Sequence, residues 1–121
     1  MKDNLIKDKS MAFAIRIVNL YKYLVEKNEF VMSKQILRSG TSVGANISEA
    51  VRAESDNDFI HKLSISRKEA QETLYWLELL HQTDFIPTEA YSSICSDCEE
   101  LSKILTSIIL TSKQNIDKNN A

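Results

Sequence analysis

Two cysteines and two histidines are the side chains here with the most obvious metal or redox chemistry. Cys95-Ser96-Asp97-Cys98 spells CxxC. A structural zinc site wants four ligands, and there is no second cysteine pair to supply them. At i,i+3 inside a helix the two thiols could not easily close a disulfide, and a redox CxxC normally opens a helix beside a strand. Cys98 falls on an apolar stripe and is expected to be a small core residue, with both thiols reduced. Glu78-Leu79-Leu80-His81 and Asp58-Phe59-Ile60-His61 look like halves of a di-iron site. Di-iron bundles take such motifs from two different helices. Here both fall on one helix, about 30 Å apart, and cannot share a site within one chain.

Other catalytic signatures are not read: no phosphate-binding Gly-rich loop, no nucleophile elbow, no HExxH helix. No Arg precedes a His by the spacing of helical ribonucleases, and two His leave little for general acid–base work. The expectation is a non-enzyme without metal or cofactor.

Polar residues are better organised than the histidines. Arg38, Ser42, Ala45, Glu49 and Arg52 follow one another at alternating steps of 4 and 3, and so do Lys62, Ser66, Glu69, Thr73 and Trp76. Each set is a stripe along one helix. They are either two solvated faces with incidental ion pairs or a charge-paired seam that fixes register between helices or protomers. The seam is the expectation, with Arg38, Ser42, Asn46, Glu49, Lys62, Lys68, Glu69, Glu72 and Trp76 in it. Lys68 and Glu72 form an i,i+4 pair, and Asn46 would hydrogen-bond side chains of the neighbouring helix. An aromatic on a bundle helix is most often core. Trp76, off the Leu74/Leu77 line, points to a subunit interface.

These stripes need helices to carry them, and the chain supplies little else. Its 121 residues include 2 Gly and 1 Pro, too few turn formers for a sandwich or an α/β nucleotide fold. Phe13, Ile17, Leu20 and Leu24 mark a first helix, about 10–28, with Ser10 as its N-cap. Ile36, Gly40, Val43, Ile47 and Val51 mark a second, about 33–53. Phe59, Leu63, Ala70, Leu74 and Leu77 mark a third, about 56–83. Tyr91, Ile94, Cys98, Leu101, Leu105 and Ile108 mark a fourth, about 87–114, opened by Pro87. A polar tail to 121 is expected to fray. Short connections make sequential helices antiparallel neighbours, so the fold expected is all-α: a single up-and-down antiparallel four-helix bundle. Gly40 and Gly44 lie on the apolar stripe of the second helix, which points to close backbone packing rather than a break.

No apolar run exceeds Met11–Ile15, far short of the about 20 residues of a membrane span. The polar, charged N-terminus is not a secretory signal, so the expected location is cytoplasmic. The net charge is −2, but residues 1–53 hold 9 basic and 5 acidic side chains, against 6 and 12 in the rest. Such asymmetry can mark a nucleic-acid surface or a self-complementary one.

The stretch Arg38–Leu80 carries a double motif. It holds Arg38, Ser39, Thr41, Ser42, Val43, Ala45, Asn46, Ile47, Glu49 and Ala50, then Phe59, Lys62, Lys68, Glu69, Glu72, Thr73, Tyr75, Trp76 and Leu77. In this it resembles the family of four-helix-bundle proteins named for 23S rRNA intervening sequences, and the likeness extends over nearly the whole chain. The resemblance implies compact protomers that assemble into ring-like homopentamers, with no established catalytic activity. The diversity-generating-retroelement accessory variability protein is a similar pentameric bundle that binds nucleic acid and a reverse transcriptase. Two expectations follow. The protein is a homo-oligomeric scaffold for structured RNA or a nucleic-acid enzyme, with Lys22, Lys27, Lys34, Arg38 and Arg52 contacting phosphates. Alternatively it is a protein–protein adaptor with no nucleic-acid affinity.

Overall fold

Four runs of apolar residues at 3/4 spacing become four helices in a computed structural model, which describes residues 2–120 and side chains from Leu5 onward. They are α1 (Lys2–Glu26), α2 (Met32–Val51), α3 (Asp56–Gln82) and α4 (Thr88–Asn120). No strand occurs among the described residues. Each helix packs on its neighbours in sequence, most extensively α2 on α3. The α1–α4 junction that closes the bundle is the slightest. The result is the all-α, up-and-down four-helix bundle the periodicity predicts.

The core is built from the predicted stripes. Phe13, Ile17, Leu24, Ile36, Val43, Ile47, Leu63, Leu77, Leu101 and Leu105 are fully buried. Burial of one such side chain contributes about 1.5–3 kcal/mol. Val51 departs from expectation: it is 47% exposed, and Ala50 is buried in its place. At 3.6 residues per turn a stripe alternates steps of 4 and 3, so 47 is followed by 50.

Both chain ends are more helical than expected. Ser10 is no N-cap. It lies buried inside α1, where its Oγ donates to the Lys7 carbonyl at 3.0 Å. Ile6, seven residues before Phe13, continues the stripe into the core and holds that extra length of helix. At the other end α4 runs to Asn120, past the expected bound near 114 and through the polar tail expected to fray. Ser112, Asn115 and Ile116 border a cleft with Asp56 and Phe59 of the first turn of α3, so the polar tail has a partner.

Two turns at the same end of the bundle share one construction. Asn28 and Asp84 both take left-handed backbone with φ of 64°. After α1, Glu29 N donates to Leu24 O at 2.9 Å and Asn28 N to Val25 O at 3.0 Å; after α3, Phe85 N donates to Leu80 O at 2.9 Å and Asp84 N to His81 O at 3.1 Å. Each pair of bonds is a Schellman closure that satisfies orphaned helix carbonyls. Glu29 then serves the next helix. Its buried carboxylate accepts from Ser33 N at 2.7 Å and Val31 N at 3.3 Å, placing negative charge at the N-terminus of α2. At the opposite end Ser55 Oγ accepts from Asp58 N at 3.1 Å and caps α3.

Candidate functional site

The α2–α3 face concentrates the polar residues singled out in the sequence. Arg38 projects from α2 and donates Nη1 to Glu69 Oε2 at 2.9 Å and Nη2 to Glu72 of α3. Trp76, one turn on, donates its indole N–H to Glu72 Oε2 at 3.1 Å. Further along the same junction Lys62 Nζ lies 3.8 Å from Glu49. The indole hydrogen bond, then the Arg38 guanidinium, holds the Glu72 carboxyl below the usual carboxylate range. Trp76 packs against the core and meets Tyr75 edge to face at 5.1 Å, while Tyr75 is 58% exposed rather than core.

Beneath the charges lies a layer the sequence does not announce. Ser66 and Thr73 sit on the expected polar stripe of α3 but are fully buried, together with Ser39 of α2. Ser66 Oγ donates to Val43 O across the junction at 2.7 Å, and the Ser39 and Thr73 hydroxyls are 2.9 Å apart. Small hydroxyl side chains let α2 and α3 approach closely while satisfying their own polar atoms. Ser33 Oγ, also buried, has no hydrogen-bond partner among the described residues.

Other members of the predicted set act within their own helix. Ser42 Oγ donates to Arg38 O at 2.7 Å and Asn46 Nδ2 to Ser42 O at 2.9 Å, so Asn46 does not reach a neighbouring helix. Lys68 is exposed and makes no ion pair with Glu72, whose carboxylate is occupied by Arg38 and Trp76. Ser42 is also the centre of Gly40-Thr41-Ser42-Val43-Gly44, a literal GxSxG. It lies in mid-helix, with no strand before it, and its hydroxyl is spent on Arg38 O, so it forms no nucleophile elbow.

The candidate phosphate contacts separate into three places. Lys22, Lys27 and Lys34 are exposed around the end of α1 and the start of α2. Arg38 is engaged with Glu69 and Glu72. Arg52 is at the far end of α2, about 27 Å from Lys34 along the helix.

The histidines and cysteines do not converge on a metal centre: among the described residues no group of three or more potential ligands comes together. His81 stacks on Tyr91 at 4.2 Å and its Nε2 lies 3.0 Å from Thr88 Oγ1. Cys98 is buried with its thiol on Ala70 O at 3.3 Å, and burial pushes its pKa up to about 12. Both cysteines are free thiols.

One feature of the surface had no sequence forecast. Met11 and Ile15 of α1 are 63% and 55% exposed. Met11 and Ala14 border a shallow cleft whose α2 wall is Thr41, Gly44, Ala45 and Ser48. The signal was the width of the apolar face of α1, which exceeds what one bundle core can cover.

Residues 2–107 match the family described as 23S rRNA-intervening sequence protein. The chain belongs to that family. The solved structure of a protein of unknown function from the S23 ribosomal protein family of Bacteroides thetaiotaomicron is 65% identical to this 23S rRNA-intervening sequence protein. The likeness covers 90% of this chain and 98% of that one with a TM-score of 0.89. No curated protein matches this family member. Among its described residues no helix is long and apolar enough to cross a membrane.

Proposed function

We propose that the protein is a non-enzymatic, cytoplasmic scaffold that assembles with copies of itself, as a homopentamer, and presents a group of exposed lysines to structured RNA or to an enzyme acting on nucleic acid. The exposed Met11 and Ile15 beside the small-residue cleft of α1 and α2 carry the reading. Apolar side chains grouped on a surface mark a contact with another molecule, and small residues opposite them admit a helix closely. Lys22, Lys27 and Lys34, exposed at one end of the bundle, supply the positive charge.

Light scattering on the purified chain tests assembly. The wild type should have the mass of several protomers, and Met11→Glu with Ile15→Glu should fall to one while keeping its helical circular dichroism. A wild type that is monomeric at every concentration overturns the assembly reading. Anisotropy of a labelled, structured RNA at low and physiological salt tests the rest. Binding should weaken steeply with salt and be lost in Lys22→Gln/Lys27→Gln/Lys34→Gln.

The adaptor reading has its own support. Arg38 is held by two carboxylates, and Arg52 is remote from the lysines. Absence of RNA binding even at low salt selects it.

A further inference from the structure

We propose that the cleft between α3 and α4 is an oxyanion site that takes a phosphate group. The cleft measures about 450 Å³ and is lined by Ser64, Arg67, Lys68 and Gln71 of α3 and by Ser102 and Thr106 of α4. The α3 members fall at steps of 3, 1 and 3 and share one helix face.

Its chemistry is one-sided. Arg67 Nη1 lies 3.5 Å from Thr106 Oγ1, and Gln71 Nε2 donates to Ser102 Oγ at 3.0 Å. Ser64 Oγ donates to Ile60 O at 2.8 Å and Thr106 Oγ1 to Ser102 O at 2.9 Å. These contacts leave most of the Arg67 guanidinium N–H groups, the Lys68 ammonium and the Ser102 hydroxyl proton free to donate. No lining residue is acidic.

The other half-buried cations, Lys9, Arg16 and Lys62, each meet a carboxylate, yet among the described residues Arg67 forms no ion pair, and neither does the exposed Lys68 beside it. An anion in the cleft would give this half-buried guanidinium the counterion it lacks. Two cations with donors on both walls match the negative charge and tetrahedrally disposed acceptor oxygens of a phosphate group better than a planar carboxylate. The site stands on this geometry and is independent of the RNA reading, whose lysines lie elsewhere.

Titration of the full chain with inorganic phosphate, followed by NMR against chloride at matched ionic strength, tests it. Saturable shifts are expected at the Arg67 Nε–H, the Gln71 side-chain amide and the amides near Ser102 and Thr106. Arg67→Gln with Lys68→Gln should weaken binding by about tenfold or more, whereas Lys103→Gln and the Lys22/Lys27/Lys34 triple variant should leave it intact. Shifts that are no larger than those of chloride, or that survive the double substitution, overturn the proposal. A short single-stranded RNA then distinguishes the source. Displacement of phosphate assigns the site to a nucleic-acid backbone, and retention assigns it to a small phosphoester.

Discussion

A Cβ placed on Gly40 would stand 2.7 Å from Cγ1 of Ile17 and 2.8 Å from its Cγ2, so α1 and α2 meet there with no room for a methyl group. The atoms in the way are the branch of a fully buried isoleucine, which cannot swing aside. At Gly44, one turn on, the nearest atom would be Ser10 Oγ at 3.4 Å, an ordinary contact.

The two glycines should therefore answer oppositely to alanine. Gly40→Ala gains about 1 kcal/mol of helix propensity but overpacks the core, for a net loss of about 1–2 kcal/mol. Gly44→Ala should be neutral or stabilising by up to about 1 kcal/mol. Urea denaturation of both variants checks this, and equal midpoints would contradict it.

The left-handed turns invite glycine. Asp84 has φ of 64°, where a side chain costs about 1 kcal/mol that glycine avoids. Asp84→Gly should raise stability by a few tenths to about 1 kcal/mol, and Asp84→Val should lower it by about 1–2 kcal/mol. Asn28→Gly should follow Asp84→Gly. Thermal unfolding distinguishes these outcomes.

Glu72 gives the α2–α3 junction a pH dependence of known sign. Its folded pKa lies below the ordinary 4.5, first through the Trp76 hydrogen bond and then through Arg38. Its stabilising contribution is therefore complete above that value and is lost as pH falls below it. The effect is modest, because the group is solvated. Trp76→Phe and Arg38→Gln should each return the Glu72 pKa toward its ordinary value. Carboxyl NMR titration reads the shift directly. Trp76 is the only tryptophan, so its emission in the wild type should follow the same transition.

The helices and their antiparallel order could be read from apolar spacing because burial selects residue type strongly. Helix ends were harder. Ile6 lies in phase with Phe13 and could have extended α1, but the polar residues around it obscure the signal. The polar stripes were half legible. Arg38, Glu69, Glu72 and Trp76 meet, whereas Ser66 and Thr73 turn inward. A serine facing water and a serine donating across a helix junction look alike in sequence. The small residues opposite, Ser39 and Val43, distinguish them only after the register of α2 on α3 is known. Arg67 stood out in no motif, because what separates it from the other half-buried cations is the carboxylate it lacks.

The slight α1–α4 junction bears on how the chain reaches this structure. Almost all interhelix packing joins consecutive helices, and only this contact requires the two ends of the sequence to find one another. Closing a long loop is the slow, entropically costly step in folding, and here it is rewarded last and least. The chain can grow outward from the α2–α3 hairpin, adding α1 and α4 as flanking hairpins. Refolding belongs in the microsecond-to-millisecond class of local topologies.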